Sequence, residues 1–288
     1  LVQAETVYKY KYKYQNGRWV FSDKPPVPQK DINHKVEQQE YANKRDTVVK
    51  PSVYVAKDDE HYFLMVRNPF HAPIEIEVKS SLCNKGLYHQ VIKPKQLVKA
   101  CKNKQAASKT SQGYRWAMGN PEAIPDGTPY EIPLGIGLER QITQSFRGRF
   151  SHHSEPSLYA VDIALPIGTN LTAARGGTVV SVKDDYHMGW ATAYFLDKAN
   201  FVRIIHDYGT FGDYGHILMG TAQVKPGDKV ARGYIIVRSG TSGFSTGPHL
   251  HFVIRRNIGF EFRSVKFSFI DAQGNTFTPK AGMKIKGK

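Results

Sequence analysis

Gly247-Pro248-His249-Leu250-His251-Phe252-Val253-Ile254 is the stretch from which the fold of this chain is read. Its second half is apolar, aromatic and β-branched, the composition of a strand. Strand side chains alternate between two faces. His249 and His251 therefore share one face, and Leu250 and Phe252 share the other. An apolar face packs into a core while two imidazoles enter a common space. Gly247-Pro248 punctuates the entry to the strand. Two histidines on one face suit a metal site, or one ligand and one proton carrier. They equally suit a solvated polar face, so the rest of the chain has to decide.

The 288 residues leave room for two domains of roughly 100–200 residues each, with smaller appendages. Lys and Arg total 40 against 25 Asp and Glu, a formal net charge of +15. Such a surface favours polyanions: nucleic acid, an anionic membrane or an acidic wall polymer. No nucleic-acid-binding module signature is present, and no stretch has the length and apolarity of a membrane span. A first residue of Leu1 is compatible with a removed signal peptide and equally with a trimmed chain. Cys83 and Cys101 read either as one disulfide in an oxidising compartment or as two free thiols. Neither belongs to a Cys-x-x-Cys pair of the kind that holds zinc.

Residues 1–30 read as a hairpin. Val7-Tyr8-Lys9-Tyr10-Lys11-Tyr12-Lys13-Tyr14 alternates aromatic and basic residues, Asn16-Gly17 is a hairpin turn, and Arg18-Trp19-Val20-Phe21 returns. It reads as a small docked hairpin or as a ribbon for sugars and acidic polymer. The stretch is similar to a small envelope-protein domain, on its Val-Tyr-Lys start and Phe21-Ser22-Asp23 end. Pro25-Pro26-Val27-Pro28 is a stiff break. Residues 31–46 are expected to be a linker, helical over 35–46. Short strand-like segments between turn residues fill 47–138, as in an immunoglobulin-like β-sandwich. His61, His71 and His89 are scattered there and read as surface residues. A Pro- and Gly-rich run ends at Leu134-Gly135-Ile136-Gly137 and marks a boundary at 138/139.

Residues 139–288 also read as all-β. Tyr159–Ala164 reads as a strand with Asp162 at its centre, costly to bury unless paired or metal-bound. Further motifs are Phe150-Ser151-His152-His153, Pro166-Ile167-Gly168-Thr169, Tyr214-Gly215-His216, and Val224-Lys225-Pro226-Gly227-Asp228. The flexible loop Ser239–Gly247 leads into the two histidines.

In this order, over about 140–255, the motifs resemble the lysostaphin-type (LytM-type) zinc endopeptidases, which hydrolyse peptidoglycan. The resemblance implies a C-terminal, twisted antiparallel β-sheet metallopeptidase domain beside the β-sandwich-like region. It implies one Zn²⁺ per chain held by His152, Asp162 and His251, with His216 and His249 as catalytic non-ligand histidines. Two imidazoles and a carboxylate leave a fourth position open, as catalytic zinc requires. One free histidine would take a proton from metal-activated water and the other would bond the oxyanion. Many members space the first His and Asp as His-x-x-x-Asp. Here His152 and Asp162 are ten apart, with Ser154-Glu155-Pro156-Ser157 between, and the adjacent His153 is the alternative ligand. His206 reads as a structural or supporting histidine, and His187 has no role. The implied partners are peptidoglycan and an anionic envelope polymer, with no nucleic acid. The implied location is the cell envelope, periplasmic or secreted. The rival readings are a non-enzymatic wall-binding activator of other hydrolases and a secreted bacteriolysin. Relatives include latent forms, which makes Asn120 or Glu122 a candidate plug for the open metal position.

Overall fold

The computed structural model describes residues 6–13, 19–22, 37–42, 49–106 and 113–288. Two compact units divide the chain, Leu1–Val49 and Lys50–Lys288. In the first, β1 (Thr6–Lys13) is the middle strand between β2 (Trp19–Ser22) and β3 (Glu37–Ala42). Lys13 stands opposite Trp19 in the antiparallel β1–β2 pair. The expected Asn16-Gly17 turn and the Pro25–Pro28 break lie outside the described residues. The helical linker expected over 35–46 is corrected: Glu37–Ala42 is a strand, paired with β1 from Lys11↔Glu37 to Thr6↔Ala42. A short polar segment is a marginal helix by itself. The open edge of β1 satisfies its backbone instead.

The second unit begins with six strands: β4 (Ser52–Lys57), β5 (Tyr62–Arg67), β6 (Ile74–Lys79), β7 (Leu87–Ile92), β8 (Leu97–Asn103) and β9 (Gly113–Met118). They form two three-stranded antiparallel sheets, β4-β5-β8 and β7-β6-β9. Period-two alternation delivers Leu64 and Val66 from one sheet and Ile74, Ile76 and Val78 from the other into a shared core. Cys83 and Cys101 are joined as a disulfide at its margin.

The remaining strands are β10 (Tyr130–Glu131), β11 (Glu139–Gln144), β12 (Val161–Ala164), β13 (Asn170–Thr172), β14 (Gly177–Lys183), β15 (Phe201–Ile205), β16 (Phe211–Gly215), β17 (Lys229–Val230), β18 (Ile235–Arg238), β19 (His249–Asn257), β20 (Phe262–Ser264), β21 (Phe269–Ile270), β22 (Thr276–Phe277) and β23 (Lys284–Lys286). A nine-stranded antiparallel sheet runs β17-β14-β15-β16-β19-β12-β11-β23, with β20 added to β19. β13 pairs with β18, and β10-β21-β22 makes a small third sheet. Tyr130, Ile132 and Leu134 already belong to the core of this sheet, ahead of the boundary expected at 138/139. Prolines and glycines end regular structure without ending a hydrophobic core.

The central strand β19 sorts its side chains as the alternation requires. Leu250, Phe252 and Ile254 face the core, with Val161 and Ile163 of β12 and Tyr214 of β16. His249, His251, Val253, Arg255 and Asn257 take the opposite face. At the far end of that face, Asn257 donates to Glu75 of β6 at 2.8 Å, where the sandwich strands join the large sheet. At the near end lie the histidines. No helix among the described residues is long and apolar enough to cross a membrane.

Candidate metal centre

Register brings the ligand types together. Asp162 of β12 is directly opposite His251 of β19, and His251 is opposite Gly215 of β16. His152 comes from the loop after β11 and is wholly buried. Its Nε2 lies 3.2 Å from Asp162 Oδ1 and 3.3 Å from His251 Nδ1. His251 Nδ1 is 2.9 Å from the same Asp162 oxygen. Donors bonded at 2.0–2.1 Å to a tetrahedral zinc stand about 3.3 Å apart, so this triangle suits such an ion. Among the described residues, His152, Asp162 and His251 are the one group of His, Cys, Asp and Glu side chains that converges in this way. His153 is exposed, and the ten-residue spacing is absorbed by a loop.

The tautomers are set by backbone carbonyls. His152 Nδ1 donates to Ser145 O at 3.1 Å, which turns the Nε2 lone pair to the centre. His249 Nδ1 donates to Gly247 O at 2.8 Å and His216 Nδ1 to Ser242 O at 2.6 Å. Each neutral ring then carries its lone pair on Nε2. The His216 and His249 rings lie 4.5 Å apart, and His249 Nε2 is 3.7 Å from Asp162 Oδ1. His216 adopts φ +60°, an uncommon conformation for a residue with a side chain, as β16 ends.

Burial opposes charge on Asp162, but the imidazoles of His152 and His251 against the carboxylate outweigh it and hold the carboxyl well below its usual range. Burial pushes His216 down to about 3, with the neighbouring His249 and His251 adding to it. Burial also pushes His251 down, against the pull of Asp162. The centre thus sets a carboxylate beside His216 and His251, two imidazoles whose burial disfavours the charged form, which is a donor set of the kind a divalent cation takes.

A cleft opens above the centre between two walls. One carries Thr143, Gln144, Phe150 and Ser151; the other carries Phe244–Pro248 with Leu196 and Ala199. Phe150 and Phe244 stack across it with centroids 5.7 Å apart. The loop carrying Phe244 is braced by backbone pairing of Gly189 with Gly243, so close that a Cβ on Gly189 would meet Thr241 O. The buried Asn200 reinforces it: its N–H donates to Ser242 Oγ at 3.0 Å. This loop supplies the carbonyls that orient His216 and His249. Neither Asn200 nor Gln144, which donates to Asp162 Oδ2 at 2.9 Å, stands out in the sequence. Their local contexts are ordinary: strand pairing brings Gln144 to Asp162, and loop packing brings Asn200 to Ser242.

The plug expected at Asn120 or Glu122 is not at the cleft. Asn120 Oδ1 accepts the backbone N–H of Glu122, and the Pro121 and Ala123 carbonyls accept from Arg256. Arg256 is five positions past His251, about 17 Å along the strand. Gly113–Met118 is committed to β9, where every residue pairs with β6. His206 is also away from the centre. It is buried with Nδ1 3.0 Å from Thr210 Oγ1, as a structural histidine.

Residues 157–261 match the model of Peptidase family M23, a span that includes Asp162, His216, His249 and His251. An uncharacterized metalloprotease of Buchnera aphidicola is 32% identical over 94 residues, covering 33% of this chain and 22% of that protein. The glycyl-glycine endopeptidase ALE-1 of Staphylococcus capitis is 34% identical over 94 residues, 33% of this chain and 23% of that protein. The peptidoglycan DD-endopeptidase ShyA of Vibrio cholerae is 36% identical over 91 residues, 32% of this chain and 18% of that protein. The chain therefore spans about a fifth of the length of these curated relatives.

Proposed function

The chain carries a domain of the M23 metallopeptidase family, and we propose that it is a zinc-dependent endopeptidase. Its substrate is the peptide part of peptidoglycan, hydrolysed at an amide bond of a stem or cross-link. The observation that carries this reading is the His152–Asp162–His251 triangle at the floor of a cleft, with two further lone-pair nitrogens beside it. The relatives named as endopeptidases support the substrate class. The net charge of +15 suits an anionic envelope, the location we propose. We assign catalysis to residues 139–288 and a positioning role to 47–138.

His152 Nε2, Asp162 Oδ1 and His251 Nδ1 would hold the ion. A zinc there supplies a Lewis acid that acidifies water and polarises a substrate carbonyl. His249 is the better-placed proton acceptor. A proton arriving on its Nε2 faces the Asp162 carboxylate 3.7 Å away. The same proton then serves the leaving amine. His216 is held neutral by burial, with its proton on Nδ1. Its Nε2 accepts a hydrogen bond from water or substrate and orients it, in place of the oxyanion donation that the family resemblance implies. The test is a digest of purified muropeptides by the zinc-loaded chain, analysed by mass spectrometry. Zinc-loaded protein that leaves every cross-link and stem intact would refute the assignment.

A further inference from the structure

Gln144 sits where the cleft wall meets the metal triangle. A register shift between Ile142 and Gln144 in the β11–β12 pair sets it opposite Asp162. Bulges of this kind re-aim side chains beside active sites. Its amide has a single orientation consistent with its partners. Oε1 accepts the backbone N–H of Phe150 at 3.1 Å and that of Ser151 at 3.4 Å. Two N–H donors on one end make that end the oxygen, so Nε2 is the end that faces Asp162 Oδ2 at 2.9 Å and Ser151 Oγ at 2.8 Å. The amide lies over Gly148, where an added Cβ would come within 2.8 Å of both Cδ and Oε1. Gly148 does not have a left-handed φ. The absence of its side chain therefore reads as space kept for Gln144.

We infer that Gln144 is a positioning residue that holds Asp162 to one oxygen at the metal. The two carboxylate oxygens are divided: Oδ1 faces His152, His249 and His251, and Oδ2 is taken by an amide N–H. A carboxylate with both oxygens free can chelate one ion. Chelation would occupy a position that water and the substrate carbonyl need. Gln144 thereby keeps that position open. Because it also takes the Phe150 N–H, it ties the aromatic wall of the cleft to the metal carboxylate. The adjacent Ser145 provides the carbonyl that orients His152, so two consecutive residues at the end of β11 aim two ligands. This inference rests on the zinc-site reading, and its test separates the two.

The test loads the full chain with Co²⁺ and records its visible spectrum, together with metal affinity by chelator competition. The variants are Gln144→Met, which keeps length and packing but removes the donors, and Gly148→Ala, which keeps the donors but displaces them. In the parent protein, a four-coordinate site gives an intense visible band. In Gln144→Met, release of Oδ2 should raise the coordination number and weaken the band several-fold, with affinity changed by roughly 10–100-fold, the usual size of an outer-sphere effect. Gly148→Ala should shift both in the same direction by less. Parent-like spectrum and affinity in Gln144→Met would overturn the role of Gln144 and leave the metal site standing. A parent protein that binds no Co²⁺ or Zn²⁺ would overturn both. If Gln144→Met does not fold, Gly148→Ala decides alone: an unchanged spectrum overturns the inference.

Discussion

Strand β19 borders two buried carboxylates on one face, and they are solved differently. At its histidine end, Asp162 is surrounded by His152, His249 and His251. Further along the same face, Asp213 is gripped by Arg203 at 2.6 and 2.8 Å and by Arg255 at 2.8 Å. Both carboxylates are nearly inaccessible, at 7% and 5% exposure. Guanidinium is always charged, so the Asp213 cluster carries its own neutralisation and needs nothing further. Arg255 is also spent on the Pro156 carbonyl and Ser157 Oγ, which anchors the loop between His152 and Asp162. Imidazole carries no fixed charge and offers a ring lone pair, so the Asp162 cluster has donor atoms to spare. One cluster is closed by its own ion pairs, whereas the other presents the donor set of the proposed metal centre. A buried acid is therefore informative through the charge state of its partners.

The sharpest break between the two clusters is metal content. Asp162→Ala and His251→Ala should each fall from about one zinc per chain to almost none by elemental analysis, whereas Asp213→Ala should keep it. His152→Ala should lose zinc and His153→Ala should not. Full zinc in Asp162→Ala would remove the metal centre from this account.

Stability should reverse the ranking. Asp213→Ala leaves two buried guanidinium groups without their acid and should cost about 3–5 kcal/mol in chemical denaturation. Asp162→Ala in metal-free protein leaves imidazoles, which can shed a proton where a guanidinium cannot, and should cost clearly less. Equal costs would show that both carboxylates are structural ion pairs.

The third prediction separates chemistry from binding. His249→Ala should keep zinc and lose roughly 10²–10⁴-fold in turnover of muropeptides, the usual worth of a positioned base. Parent-like turnover in zinc-loaded His249→Ala would give the proton to another group.

The smallest effect concerns pH. Burial pushes His206 down to about 3, and the nearby Arg175 charge adds to this. The folded pKa is below the unfolded value of about 6.5. Above 6.5 neither state holds the proton and the contribution is intact. Between 6.5 and about 3 the unfolded chain binds a proton that the folded chain refuses, so stability falls as the medium acidifies. The slope from this one group is at most about 1.4 kcal/mol per pH unit. His206→Phe should flatten the acid limb of the stability curve by that amount. An unchanged slope would mean that His206 is protonated in the folded protein.

The amino-acid sequence alone determined the features that local chemistry and alternation set. His249 and His251 share a face because strand side chains alternate, and Leu250 and Phe252 are buried for the same reason. The donor types at His152, Asp162 and His251 were also legible, since their motifs occur in order along the chain. Only the tertiary structure decided the features that depend on pairing between distant segments. Strand register put Asp162 opposite His251, and loop closure buried His152 while exposing its neighbour His153. The β11–β12 shift brought Gln144 to Asp162, and carbonyls of a loop held by Gly189 set the His216 and His249 tautomers. Burial of Tyr130, Ile132 and Leu134, ahead of residue 139, is likewise a property of the core they join and not of the prolines and glycines around them. The segment 113–122 carried side chains suited to a plug, but its backbone paired with β6, and a strand's place is set by its hydrogen-bond partners.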